Sequence, residues 1–392
     1  MLDVSSTKKV LLTFILMLGI VSLFADMTYE GARSITGPYL SLLGANATIV
    51  GFVAGFGEFV GYALRLFSGY IADTTKRYWT LTLIGYGINL FSIPLLAFSG
   101  FWEIAAMLII MERFGKAIRT PSRDVLLSYA TKQVGRGWGF GIHEALDQIG
   151  AVTGPLLIST ILYIRESYSE AFIVLIIPAL MAMTTLGMAR IRFPTPETFE
   201  EEKTRITDRS KSKFPMVFWI YCLFIVTSVA GFANFQLISY HFKINSIVPD
   251  IQIPVLYAMA MGVDAVIALI IGRLYDRVGI VALVTIPLLT IPIPLLSFSY
   301  KYFNVVSGLI LFGAVIGIQE TLMRATIPDM TPMSRRGTAY GIFNTAYGLA
   351  WFFGSITMGV LYEISISYLV VFVVVVEMMA FGFLAILYNT KD

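Results

Sequence analysis

RGWGFGIHEALDQIGAVTGP, residues 136–155, returns 200 residues later as RGTAYGIFNTAYGLAWFFGS, residues 336–355. Arg136, Gly137, Gly141, Ile142 and Gly154 recur as Arg336, Gly337, Gly341, Ile342 and Gly354, and Phe140 is answered by Tyr340. The chain therefore reads as a duplicated unit of about half its length. The shared residues read as architecture. His143, Glu144, Asp147 and Gln148 stand where the second copy has Phe343, Asn344, Tyr347 and Gly348, so chemistry peculiar to the first copy would reside there.

The 392 residues around this repeat are 57% hydrophobic and 14% charged, whereas soluble domains carry about 25% charged residues. A soluble core cannot absorb so much apolar surface, so the chain is a polytopic membrane protein with the lipid bilayer as its first partner. The net charge of +3 gives no basis for a nucleic-acid partner. The single cysteine, Cys222, excludes an intramolecular disulfide, and no zinc or haem spacing exists, so no metal or cofactor is expected. The absence of a Gly-x-x-x-x-Gly-Lys-Ser/Thr loop disfavours an ATP-driven pump. No nucleophile–base constellation supports an intramembrane enzyme. Lys8 and Lys9 precede an apolar run that resembles a signal peptide, but the run continues into Asp26 without a small-residue cleavage site and reads as a retained first span.

Twelve helical spans follow, near residues 9–37, 47–72, 78–99, 102–123, 137–163, 170–192, 215–241, 250–272, 279–299, 303–327, 337–362 and 366–388. The long hydrophilic segment between the sixth and seventh divides the chain into an N-terminal bundle (1–192), a linker (193–214) and a C-terminal bundle (215–392). With the N-terminus inside, 21 of the 28 Lys and Arg residues fall on inner segments and only Arg165, Lys243 and Lys301 on outer ones. That bias predicts both termini and the linker on the cytoplasmic side of the plasma membrane. The clustered Gly55, Gly57 and Gly61, together with Pro178, Pro287, Pro292 and Pro294, predict closely packed, bent helices.

After the second span comes GYIADTTKRY, with Gly69, Asp73, Lys76 and Arg77; after the eighth comes GRLYDRVG, with Gly272, Asp276, Arg277 and Gly279. Both place Gly-x-x-x-Asp and basic residues at matching inner positions of the two halves. This pattern resembles the signature loop of the major facilitator superfamily (MFS). The first copy departs from it, with Thr74 where an arginine is common and Lys76 where a glycine is common. The resemblance covers the whole chain. It implies an all-α membrane protein of twelve transmembrane helices in two pseudo-symmetric six-helix bundles, working by alternating access around a central cavity. Gly150, Gly154 and Pro155 on the fifth span resemble the Gly-x-x-x-Gly-Pro motif of the antiporter branch, although the same residues serve generic small-residue packing.

Charge inside the spans marks the expected site, because it is expensive in lipid. Asp26, Glu30 and Arg33 are spaced four and three apart, on one stripe of the first span. Arg113 on the fourth span resembles the mid-span arginine of family exporters, and Glu30 or Asp26 with Arg113 is the leading coupling pair. Its competitors are an ion pair with neighbouring Glu112 and, for Glu30, one with Arg33. Arg119 and Arg123 are expected at the cytoplasmic end of that span, in a gate or reaching for headgroups. On the fifth span Glu144 and Asp147 join the coupling set, and His143 lies four residues before Asp147. The substrate-cavity set is Glu58, Asn234, Gln236, Asp264, Asn344 and Trp351. The first half thus reads as the coupling half and the second as a more neutral, aromatic surface for substrate.

The expected activity is secondary active transport, as proton-coupled efflux of amphipathic or drug-like small molecules by a monomer. One alternative is proton-linked movement of a small organic anion. Another, from a different class, is a non-transporting sensor or scaffold that keeps the fold.

Overall fold

The protein is described by a computed structural model over residues 4–134, 136–196, 214–331 and 335–390. The charged core of the expected linker, with Glu200, Glu201, Glu202, Lys203, Arg205, Asp208 and Arg209, lies outside the described residues. Sixteen α-helices are described: α1 (Val4–Leu42), α2 (Ala47–Thr75), α3 (Tyr78–Leu95), α4 (Trp102–Val134), α5 (Arg136–Arg165), α6 (Tyr168–Val174), α7 (Ile176–Arg192), α8 (Met216–Ala230), α9 (Phe235–Ile244), α10 (Gln252–Val278), α11 (Thr285–Thr290), α12 (Pro292–Ser297), α13 (Tyr302–Ala325), α14 (Ile327–Met330), α15 (Arg336–Ile364) and α16 (Ile366–Asn389). They account for twelve spans, because α6 with α7, α8 with α9, and α11 with α12 each make up a single broken span, and the four-residue α14 is a short turn after the tenth.

The breaks have local causes. The seventh span opens at residues 231–234, where Asn234 caps α9 by accepting a hydrogen bond from the Leu237 amide at 2.8 Å. The ninth begins as a 3-10 turn (Gly279–Val284) and carries Pro287, Pro292 and Pro294, which remove amide donors from the ladder. Nine stretches among the described residues are long and apolar enough to cross a membrane, and one of them, Gln252–Ser297, holds both the eighth and the ninth spans. The fourth and eleventh do not qualify. The fourth is rich in charge, and α4 runs eleven residues past the expected end at 123, through Pro121, so its charged residues sit within the helix.

The chain forms two compact units, residues 1–33 with 63–206 and residues 34–62 with 207–392. The division falls inside α1 and α2, whose ends nearest their connecting turn group with the second unit.

In the first unit, α3 and α4 meet backbone to backbone. A methyl group on Gly85 or Gly115 would lie less than 3.0 Å from the amide nitrogen of Arg119 or Asn89. Gly150 and Gly154 of α5 face α1 in the same way, against the carbonyl oxygens of Leu23 and Met27. In the second unit Gly354, the repeat partner of Gly154, meets the carbonyl oxygen of Ala230 on α8. Gly69 touches Pro121 of α4 in the first unit and Gly272 touches Thr321 of α13 in the second, both at van der Waals distance. The duplication in the sequence is therefore a duplication of packing.

Within the second unit, residues 34–62 are tightly held. Gly37 abuts the Gln236 carbonyl of α9, Gly51 the Ser355 carbonyl of α15, and Gly359 the Ala47 carbonyl. The Thr48 amide donates to Glu363 at 2.9 Å.

The two signature loops share a positive-φ backbone three residues after the aspartate, on a different residue in each. Lys76 has φ 56°. Gly279 has φ 62° and ψ −140°, a conformation that essentially only glycine adopts.

Candidate functional site

The close approach of α1 to α5 at the glycine pair fixes what stands beside it. Gly150 faces Leu23 and Asp26, so Asp26 is carried on a turn of α1 in close contact with α5. Asp26 is 8% exposed and Glu30 6% exposed. The Tyr29 hydroxyl donates to Asp26 Oδ1. The Tyr29 ring lies beneath the Lys116 ammonium, 4.1 Å from ring centroid to Nζ, and 5.7 Å from the Arg119 guanidinium. Arg119 is 1% exposed and stacks on Tyr86 at 4.2 Å. Such contacts gain strength when water is excluded.

Asp26 lies within electrostatic reach of Lys116, Asp147 and Glu30. Lys116 in turn feels Arg33, Glu30 and Arg119, and Asp147 feels Arg123, Arg119 and Lys116. Glu30 pairs with Arg33 at 3.0 Å along α1. Arg123 pairs with Asp124 at 2.8 Å and donates to Ser22 at 3.4 Å. His143 Nδ1 stands 3.7 Å from Asp147 Oδ2. Three helices thus gather Asp26, Glu30 and Asp147 with Arg33, Lys116, Arg119 and Arg123. In a medium of low dielectric, a change of charge at one member is felt by the others by a few kcal/mol, about 4 kcal/mol at 4 Å and an effective dielectric of 20.

Arg113 Nε lies 3.2 Å from Glu112 Oε2, and Asn89 of α3 donates to Glu112 Oε1 at 2.7 Å. Lys116, one turn further along α4, and Arg119 are the cations over the Tyr29 ring. Of the two placements expected for Arg119, its burial speaks against the headgroup one, because α4 continues to Val134 and leaves Arg119 mid-helix. Glu144 is exposed, whereas Asp147, one turn on, is half-buried. Tyr29, Tyr86 and Lys116 were absent from the expected site. An aromatic at i+3 from a buried acid, together with a basic triplet spaced three and four (Lys116, Arg119, Arg123), is the sequence signal for Tyr29 and Lys116; Tyr86 has none and is placed by its contact with Arg119.

The second unit holds an aromatic file. Tyr62 and Tyr347 lie 4.8 Å apart between ring centroids, Tyr347 and Trp351 5.6 Å, Trp351 and Phe232 5.8 Å, and Phe232 stacks on Phe312 at 5.0 Å. Tyr347 donates to Gln319 at 3.4 Å, and Glu58, Glu320 and Arg324 are its charged neighbours. Trp351 and Glu58 of the expected cavity set thus come to one cluster. Asn234 caps α9. Asp264 is 3% exposed and faces Gly317 at the α10–α13 contact. Gln236 offers its backbone carbonyl to Gly37, and Asn344 is half-buried on α15.

A helical membrane protein with a duplicated unit and a water-excluded charge cluster on three spans belongs to the transporter class. Its sequence agrees: the profile of the Major Facilitator Superfamily matches residues 10–355 and 249–391. The chain is a member of that superfamily, a transporter and not an enzyme. The uncharacterized protein Rv2265 of Mycobacterium tuberculosis (strain ATCC 25618 / H37Rv) is 42% identical over 94% of this chain and 91% of its own length. The uncharacterized MFS-type transporter MJ1317 of Methanocaldococcus jannaschii is 27% identical, covering 89% and 88% of the two chains. Among solved structures, the nucleoside transporter NupG superposes with a TM-score of 0.75 at 15% identity, over 95% of this chain and 99% of that one. The likeness to NupG establishes the fold alone.

Proposed function

We propose that this transporter couples export of amphipathic, drug-like small molecules to proton entry, as a monomer of the plasma membrane with both termini cytoplasmic. The observation that carries the reading is the Asp26–Tyr29–Lys116 contact beside Asp147. A proton arriving at either carboxylate removes a negative charge from a cluster that binds four cations, and so biases the packing of α1 against α4 and α5. Substrate needs only to prefer the same one of two conformations for transport to be coupled. In this proposal the six spans on each side of residues 193–214 act as the two moving bundles. The Tyr62–Tyr347–Trp351 surface receives the apolar part of the substrate.

The four cations gathered in the cluster, Arg33, Lys116, Arg119 and Arg123, support a second reading, in which the cargo is a small organic anion moving with protons. Purified protein in liposomes, given an inside-acid or inside-alkaline pH jump and a panel of cationic and anionic aromatic probes, separates the two. The first reading expects proton flux evoked by lipophilic cations and abolished in Asp26→Asn. Lys116→Ala would raise cation transport under the first reading and eliminate anion transport under the second. Substrate-evoked proton flux that persists undiminished in Asp26→Asn and Asp147→Asn would refute both.

A further inference from the structure

A cavity of about 560 Å³ opens in the first unit, between α3 and α7, lined by Trp79, Leu83, Gly187, Arg190, Ile191 and Pro194. Its floor is Gly187, where an added methyl group would meet nothing within 4 Å. Its wall is held rigid: the Trp79 indole N–H donates to the Phe193 carbonyl at 3.1 Å, and Phe14 packs edge-on against both rings, 6.1 Å from Trp79 and 5.0 Å from Phe193. With its one donor used, Trp79 presents only apolar surface.

Arg190 is the charged group of the lining. It is exposed and makes no ion pair or hydrogen bond among the described residues. Arg77, two residues before Trp79, is likewise exposed with no side-chain partner among them, and Arg192 meets only the Phe193 ring, at 5.9 Å. The flank of the cavity is apolar and open, with Ile191 83% exposed and Met188 55% exposed. A tryptophan and arginines at the end of a span, beside an outward apolar face, mark the level of lipid headgroups.

We propose that this groove binds an anionic phospholipid. The phosphate rests on Arg190, with Arg77 and Arg192 adding positive field, and an acyl chain lies along Leu83, Gly187 and Ile191. The occupant follows from complementarity. The groove joins a guanidinium with no partner among the described residues to an apolar trough, and a phospholipid supplies both a phosphate oxygen pair and a hydrocarbon chain in that order. Guanidinium binds phosphate through paired N–H donors, and each basic residue near a bilayer surface contributes to anionic-lipid attraction enough for about a fivefold change in affinity.

The test uses the full chain, delipidated in detergent, with phosphatidylglycerol, phosphatidylcholine and inorganic phosphate as separate probes. Native mass spectrometry counts retained lipid, and thermal unfolding reads stabilisation. Wild type should retain phosphatidylglycerol in preference to phosphatidylcholine. Arg190→Gln should weaken phosphatidylglycerol retention about fivefold and phosphatidylcholine retention by less, because the choline cation offsets the phosphate charge that Arg190 attracts. Gly187→Leu, which fills the trough without altering charge, should weaken it as well. Neither residue holds a contact that folding needs, so both variants should unfold near the wild-type temperature without lipid. Equal retention of the two lipids by wild type, undiminished phosphatidylglycerol binding by both variants, or full stabilisation by inorganic phosphate alone would each overturn the proposal. The outcome is independent of what the protein transports.

Discussion

A methyl group added at Gly150 would sit less than 3.0 Å from the carbonyl oxygen of Leu23 and 3.0 Å from Cβ of Asp26. Ordinary contacts to carbon are about 3.5 Å or longer, so Gly150→Ala forces α1 away from α5 by at least several tenths of an ångström. The first partner is helix backbone and the second a Cβ fixed to it, and neither can rotate out of the way as the far end of a side chain can. Overpacking of this kind costs about 1–3 kcal/mol. For a cooperative unit of this size each kcal/mol moves the melting temperature by about 2–4 °C, so a drop of about 2–12 °C is expected. The same substitution at Gly154, which faces the Met27 carbonyl, and at Gly354, which faces the Ala230 carbonyl, should act alike. Gly187→Ala, with open space around it, should leave the melting temperature within about 1 °C or raise it slightly, since alanine is the better helix former. Purified variants unfolded at one scan rate in one detergent provide the comparison. Because Gly150 also positions Asp26, proton-driven transport by Gly150→Ala should fall further than stability does. If Gly150→Ala melts with wild type while Gly187→Ala does not, the packing reading of the glycine pair is refuted.

Other outcomes are also expected. Lys76→Gly should stabilise the protein by about 1 kcal/mol, because Lys76 holds a positive φ that only glycine takes without steric cost; Gly279→Ala should destabilise it, and thermal unfolding reads both. Tyr29→Phe keeps the ring beneath Lys116 but removes the donor to Asp26, so proton-driven transport should drop about tenfold to a hundredfold while the melting temperature changes little. Trp351→Ala should raise the KM for aromatic substrates about fivefold with kcat nearly unchanged, measured by uptake into liposomes. Asn89→Ala withdraws the amide from buried Glu112 and should lower stability by about 1–3 kcal/mol.

The sequence carried most of the fold because its signals are local or periodic. Apolar runs set the spans, and the 200-residue echo set the duplication. The two Gly-x-x-x-Asp loops set the correspondence between halves. Even the departure at Lys76 was visible as a missing glycine, and the positive φ there gives it a physical meaning. The site was legible only in part. Asp26, Glu30 and Asp147 stand out because charge in an apolar span is conspicuous. Their partners depend on the rotation of α4, which no stripe on α4 alone reveals. The close α3–α4 contact at Gly85 and Gly115 sets that rotation, placing Glu112 on Asn89 and turning Lys116 and Arg119 toward Tyr29.

By itself, then, the sequence determined that the chain crosses a membrane many times as two related halves, since burial of apolar side chains and the expense of intramembrane charge act residue by residue. The tertiary structure decided that Lys116 and Arg119 lie over the Tyr29 ring beside Asp26, that Arg119 is buried mid-helix, and that Asn234 caps α9. Those outcomes depend on where one helix backbone touches another, and that contact is a property of neither helix alone.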